Sequence, residues 1–291
     1  MAATIIKGGP IAEEIRGELA REVEALKAKG IVPKLSVVLV GDDPGSVWYA
    51  RNKVKTGEKV GVVVEVNELA ADTPEAEVVA LVEKLNADPD VHGILVELPL
   101  PGHIDKAKVM NAITPAKDVD GVTAVNRGYV LGGQEDLALV PATPLSCIEL
   151  IQRSGVELRG RRVTVVGRGD TVGRPLAMLL LQKGRDATVT VCHSRTKDLA
   201  GACRWAEILV AAAGAGSDHL IKADMIAPGA VVIDAAINET PDGSITGDVD
   251  FEAAKEVASA ITPVPGGVGS LTTTIILSNT IKALKLQKGL A

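Results

Sequence analysis

The sequence predicts an α/β protein made of two successive parallel-sheet domains, and three observations carry that expectation. Short β-branched and apolar runs alternate with helical patterns, the order that a parallel sheet covered on both faces requires. A stretch rich in Pro, Gly and Asp from 99 to 133 interrupts the alternation, which then resumes. The length, 291 residues, is enough for two ordinary domains.

In chain order, Ile11, Ile15, Leu19, Val23 and Leu26 recur at helical spacing after Pro10 and stop at Gly30, predicting a first helix. Residues 35–40 (LSVVLV) read as a buried strand, 46–60 as a helix, 62–69 as a strand, 74–86 as a helix and 93–98 as a strand. Beyond the interruption, 143–154 read as a linking helix, and strands are expected at 163–166, 188–192, 208–212 and 231–235. A final helix is expected at 271–284; periodicity leaves open whether it closes the second domain or returns to the first.

Composition excludes several classes of function. The net charge is −6, there is no basic run, and two Trp, two Tyr and one Phe are the only aromatic side chains. That argues against a nucleic-acid surface built on phosphate contacts and base stacking. The N-terminal residues carry acids and have neither the apolar core of a signal peptide nor the bias of a transit peptide, and no apolar run reaches membrane-spanning length. A soluble, cytoplasmic protein is expected. Cys147, Cys192 and Cys203 form no CxxC pair and no Cys/His cluster, so neither a disulfide framework nor a metal site is expected, and they read as small apolar fillers. His92, His103 and His219 read as loop residues without a role.

The strongest motif lies in the second half. Val163 to Pro175 reads VTVVGRGDTVGRP: a strand runs into Gly167, Arg168 and Gly169, then Val172 and Gly173, and an apolar helical pattern follows through Leu176, Leu179 and Leu180. Such a turn lets backbone N–H groups approach a pyrophosphate at the N-terminus of a helix. Its GxGxxxG spacing is one residue longer than the usual fingerprint, so the neighbouring strand has to support it. After 188–192, where an acid would hydrogen-bond the adenosine ribose, the chain reads His193-Ser194-Arg195-Thr196. A cation and hydroxyl donors in place of a carboxylate, together with Arg168, suit a 2′-phosphate and favour NADP over NAD. Taken singly, Arg168 and Arg195 read equally well as solvated loop residues.

In the first half, ligands of an open α/β sheet should collect in the loops after the strands. Tyr49 and Lys53 lie four apart on the helix that begins near Ser46, so they share a face. That arrangement is also common for an exposed lysine on a tyrosine ring, and Trp48 reads as a core residue. Glu97, before Leu98 and Pro99, ends an apolar strand, and a carboxylate there needs a partner, for which Lys53 is the candidate. Lys117-Asp118-Val119-Asp120-Gly121, in isolation, reads as a turn.

Seven segments, VGDDPGSVWYARNKVK, LVELPLP, PAKDVDGVTAVNRG, VVGRGDTVGRP, TVCHSRT, GDVDF and ITPVPGGVGSLT, occur in one order along essentially the whole chain. In that order and spacing the sequence resembles the bifunctional methylenetetrahydrofolate dehydrogenase/methenyltetrahydrofolate cyclohydrolase family. The resemblance implies NADP-dependent oxidation of 5,10-methylenetetrahydrofolate and hydrolysis of the methenyl product to 10-formyltetrahydrofolate. It implies a folate-binding catalytic domain over 1–140, completed by a C-terminal helix over 274–291, a Rossmann-type NADP-binding domain over 141–273, an active-site cleft between them, and a homodimer. The family's catalytic lysine falls on Lys53 and its stacking tyrosine on Tyr49, beside Ser46, Glu97, Leu98 and Pro99, and its pterin-holding aspartate on Asp120. Its cofactor contacts fall on Gly167, Arg168, Gly169, Val172, Gly173, His193, Ser194, Arg195 and Ile237. Pro265, Gly266 and Gly267 belong to a loop that closes near substrate.

Three residues depart from the family pattern. Glu97 stands where glutamine is usual, Gly169 where serine is common, and Ser270 where proline follows PGGVG. A carboxylate within about 4–6 Å of an amine stabilises the ammonium form, which a neutral amide does not. Glu97 therefore weakens Lys53 as a base or takes over proton transfer itself. It also keeps open a monofunctional methylene-pterin dehydrogenase. A non-catalytic NADP-binding sensor is the remaining alternative, and it gives no reason for Tyr49, Lys53 and Asp120 to occur together.

Overall fold

The computed structural model describes residues 3–216 and 218–290. Contacts divide the chain into two units. One contains Glu14–Tyr129, Gln134–Ala142 and the chain from Thr273 onward; the other contains the chain up to Glu13, Val130–Gly133 and Thr143–Thr272.

The unit that starts at Glu14 is built on a parallel three-stranded sheet in the order Val63–Leu69, Lys34–Val40, Gly93–Val96. Six of the seven residues of the central strand are buried, which is why it reads as an unbroken apolar run, whereas the edge strand Val63–Leu69 alternates. Val38, Val40, Ile94 and Val96 pack with Val78, Val82 and Leu85 of the helix Glu75–Ala87 and with Val109 and Met110 of the helix Lys106–Ala112. The helix Pro44–Val60 begins two residues earlier than its apolar pattern indicates, because Asp43 caps it and Pro44 occupies the first turn. It ends at Gly61, in the left-handed region with φ 88°.

The interrupting stretch is not structureless. It holds the helices Lys106–Ala112 and Ala124–Leu131, the first capped by Asp105, whose carboxylate accepts from the Ala107 and Lys108 N–H groups. Lys117 is buried, and its Nζ donates to the carbonyls of Leu85, Asn86 and Asp88, satisfying the C-terminal end of Glu75–Ala87. The last helix, Gly269–Lys288, is longer than expected, and from Thr273 onward it belongs to this unit. Asn279 Nδ2 donates to Val119 O at 2.7 Å and Val140 O at 2.8 Å, fixing it there.

The other unit holds a six-stranded, wholly parallel sheet. Its order is Thr4–Ile5, Ala260–Ile261, Val231–Asp234, Ile208–Ala211, Arg162–Val166, Thr188–Cys192. The outermost strand comes from the start of the chain, so a single cut at residue 140 does not separate the two units. Thr4–Ile5 and Ala260–Ile261 are two residues each, too short for any periodicity to register. Cys147, Cys192 and Cys203 are buried thiols, and burial pushes Cys147 and Cys203 up to about 12. The ring nitrogens of His103 and His219 lie 2.9 Å from Thr73 O and Thr246 Oγ1, and His92 Nδ1 accepts from the Lys34 N–H, so all three have local partners. No helix among the described residues is long and apolar enough to cross a membrane.

Candidate active site

The helix Pro44–Val60 buries Ser46, Ala50, Lys53, Thr56, Gly57 and Val60, a stripe at helical spacing. Lys53 lies on that buried stripe, not on the solvent face, and is 4% exposed. Trp48 is off it and 61% exposed, so it is not the core residue expected, although it meets Tyr49 edge-on at 5.1 Å. A buried ammonium needs a partner, and the strand Gly93–Val96 supplies one from the residue after its end. Lys53 Nζ donates to Glu97 Oε1 at 2.8 Å, and Glu97 is also buried. The Glu97 N–H still bonds to Val38 O, so its main chain is held by the sheet ladder. The Lys53 Nζ also lies 5.4 Å from the Tyr49 ring centroid. Burial, then the Glu97 charge, raises the Tyr49 phenol above its ordinary value.

Ser46 Oγ lies 2.9 Å from Asp43 Oδ1 and 3.0 Å from Leu98 O, tying the helix start to the Leu98–Pro99 loop, where Pro99 is exposed. The Asp118–Gly121 segment is more than a turn. Asp118 is fully buried; its carboxylate accepts from the Val122 and Thr123 N–H groups and from Asn126 Nδ2, and its backbone bridges to Ile94. This fixes Asp120, whose carboxyl is pushed up to about 7, first by desolvation and then by the Asp118 charge, with Lys53 opposing and Glu97 adding to the rise. Ser46, Tyr49, Lys53, Glu97, Leu98 and Asp120 are thus brought together within one unit.

In the sheet of the other unit, the strand at Arg162–Val166 is flanked by the strands that come next and next but one in sequence, Thr188–Cys192 and Ile208–Ala211. Chain direction across the sheet reverses between Arg162–Val166 and Ile208–Ala211, the topological switch point where dinucleotides bind in this class of sheet. Gly167 follows the first of these strands directly. It has φ 127°, and a Cβ there would overlap Ala212 O; a Cβ on Gly173 would overlap Gly167 O. These two positions require glycine. Gly169 does not, since a Cβ there meets nothing within 4 Å. Val172 occupies the N-cap of the helix Gly173–Leu180 without a side-chain capping bond.

Arg168, Ser194 and Arg195 are exposed at the carboxyl ends of paired strands, Val166 standing opposite Cys192. The His193 N–H donates to Thr196 Oγ1, and its Nδ1 accepts from the Arg195 N–H, which shapes that turn. Ile237 is exposed beyond the strand Val231–Asp234. Gly266 O accepts from the Gly8 N–H, and a Cβ on Gly8 would overlap Gly267 O, so the Pro265–Gly267 loop is packed on the start of the helix Gly8–Lys27. Ser270, the third departure, donates its N–H to Gly267 O. Sequence reasoning noted GDVDF as a segment but gave Asp248 no task. Asp248 accepts from the backbone of 213–215 after Ile208–Ala211, a contact between loops 33 or more residues apart that local pattern cannot reveal.

These features define a class: an α/β enzyme with a glycine turn at a parallel-sheet switch point and a buried Lys–Glu pair beside a raised aspartate. Comparison with known proteins gives the family. The family model for the tetrahydrofolate dehydrogenase/cyclohydrolase catalytic domain matches residues 6–120, and that for its NAD(P)-binding domain matches residues 141–288. The chain is 57% identical to the "Bifunctional protein FolD" of Heliobacterium modesticaldum over 100% of this chain and 99% of that one. The crystal structure of the bifunctional FolD methylenetetrahydrofolate dehydrogenase/cyclohydrolase from Campylobacter jejuni superposes with a TM-score of 0.93 at 41% identity, covering 98% of this chain and 99% of that one. The Trypanosoma brucei dehydrogenase-cyclohydrolase, solved with NADP cofactor and inhibitor, gives 0.92 at 39% identity, covering 98% of each chain. The chain belongs to the tetrahydrofolate dehydrogenase/cyclohydrolase family.

Proposed function

We propose that the chain oxidises 5,10-methylenetetrahydrofolate with NADP and hydrolyses the methenyl product to 10-formyltetrahydrofolate, as a homodimer in the cytoplasm. The observation that carries the reading is the buried Lys53–Glu97 pair, packed beside Tyr49 and electrostatically coupled to Asp120, in a chain that also has a glycine turn at a sheet switch point. The turn fits a dinucleotide: Gly167 and Gly173 make it too tight for any side chain there, and the N-terminus of Gly173–Leu180 follows. Two arginines and a serine at the adjoining strand ends, without an acid, fit a 2′-phosphate. Bound NADP supplies the hydride acceptor.

The chain's own residues position and protonate. The Tyr49 ring offers a face for the pterin, and Asp120 offers acceptors to its amino and ring N–H donors. In hydrolysis, a water adds to the methenyl carbon and loses one proton to solvent. The hydroxyl proton of that adduct must then reach the pterin nitrogen as the C–N bond breaks. In this reading Lys53 moves that proton, with one of its N–H groups donated to Glu97.

Methenyltetrahydrofolate absorbance tests the reading. With methylenetetrahydrofolate and NADP it should rise and then decay, with a weaker rise when NAD replaces NADP. No signal with either cofactor overturns it; a rise without enzyme-dependent decay establishes the dehydrogenase alone. Light scattering on the eluted protein checks the homodimer, for which the exposed Val191 on the edge strand Thr188–Cys192 offers apolar surface.

A further inference from the structure

The loop that follows Ile208–Ala211 stands across the switch point from the glycine turn, and its backbone is turned by a single buried carboxylate. Asp248 is 0% exposed. Its Oδ2 accepts from the N–H of Ala213 at 2.7 Å and of Gly214 at 3.1 Å, and its Oδ1 from that of Ala215 at 2.9 Å. Asn238 Nδ2 donates to the same Oδ1 at 3.1 Å, while Asn238 Oδ1 accepts from the Gly216 N–H at 2.9 Å. Four successive N–H groups therefore point inward, onto Asp248 and Asn238.

A trans peptide is planar, with its C=O directed opposite its N–H. The carbonyls of Ala212, Ala213, Gly214 and Ala215 belong to those same peptide units, so they face away from Asp248. The first shows where that direction leads, because Ala212 O abuts Gly167 so closely that no Cβ fits between them. Among the described residues, none of these four carbonyls accepts a backbone hydrogen bond, and residues 213–216 are exposed. The two sides of the crevice therefore carry opposite chemistry. The glycine turn and the start of Gly173–Leu180 offer N–H donors, which suit phosphate; the loop opposite offers acceptors, which phosphate does not tolerate but an amide or ribose hydroxyl does.

We propose that Asp248, with Asn238, is a positioning residue that turns the Ala213–Gly216 loop so that its carbonyls receive the hydrogen-bond donors of the nicotinamide half of the dinucleotide. The inference rests on the dinucleotide reading above and assigns one half of that ligand to one loop. Asp248→Asn sets an amide N–H against a backbone N–H and releases part of the loop; Asn238→Ala, the milder change, frees only the bond to Gly216 and one bond to Asp248.

Calorimetric titration with two ligands tests it: NADP, and 2′-phosphoadenosine 5′-diphosphate, which keeps the adenosine, its 2′-phosphate and the diphosphate but lacks the nicotinamide riboside. Both variants should bind NADP about tenfold more weakly, the scale of one or two lost hydrogen bonds, and bind the fragment within about twofold of the unsubstituted chain. Retained fragment binding also shows that the glycine turn has folded. Unchanged NADP affinity, or equal loss for both ligands, overturns the inference. Failure of the unsubstituted chain to bind either ligand overturns the dinucleotide reading itself, and the inference with it.

Discussion

Lys53 is one member of a buried ion pair, and that governs what it can do. Its Nζ donates to the Glu97 carboxylate at 2.8 Å, so any proton transfer proposed for it takes place beside that charge. Glu97→Gln keeps the shape and an acceptor oxygen but removes the charge, so methenyl hydrolysis near neutral pH should rise about tenfold while the dehydrogenase rate changes little. Equal hydrolysis rates from pH 6 to 9 would remove Glu97 from the mechanism, and a slower variant would transfer the proton-moving role to Glu97. Asp120 gives a second prediction. Its carboxyl titrates at about 7 because of burial and the Asp118 charge, so below that pH it is neutral and above it accepts only. If its ionised form holds the pterin donors, kcat/KM for the folate should climb as pH rises toward 7, by about tenfold per unit on the acid side, and level off above. Asp120→Asn should flatten that limb. The Lys53–Glu97 pairing was legible in sequence because a carboxylate ending an apolar strand demands a partner. The Asp118 support was not, since its partners Val122, Thr123 and Asn126 carry no pattern that distinguishes them from an ordinary turn.

At the scale of elements, the helix Pro44–Val60 is the part that presents Tyr49 and Lys53, and its start is set by one side chain. Asp43 accepts from the Ser46 N–H at 2.8 Å. Asp43→Ala should cost about 1 kcal/mol in urea denaturation, and because Ser46 also bridges to Leu98 O it should raise KM for the folate as well. The alternation of strand and helix was readable wherever elements were long: Lys34–Val40, Glu75–Ala87 and Arg162–Val166 fall within one or two residues of the expected bounds. The helices Lys106–Ala112 and Ala124–Leu131 escaped, because they are seven and eight residues long and lie among Pro and Gly residues that signal loops.

At the scale of the whole molecule, each unit contains a piece from the far end of the chain. Asn279 is the clearest fastening, with two buried bonds to Val119 O and Val140 O. Asn279→Ala leaves both carbonyls without that donor and should lower stability to urea by about 2–3 kcal/mol, more than an exposed substitution on the same helix; a change within about 0.5 kcal/mol would show that these two bonds do not fasten the helix. Periodicity could not assign this helix, since an apolar helical pattern does not say which sheet it packs against; the partners of Asn279 do.

The exchange of termini also has a consequence for synthesis. Thr4–Ile5 is made long before Ala260–Ile261, the strand it pairs with. The unit that begins at Glu14 likewise waits for the helix from Thr273 onward. Domains ordinarily fold in the order they are translated; here neither can be completed before residues after 260 are made. Emergence of the residues from 260 onward thus becomes the step that closes both halves, and a nascent chain stalled before residue 260 should remain open to protease in each of them.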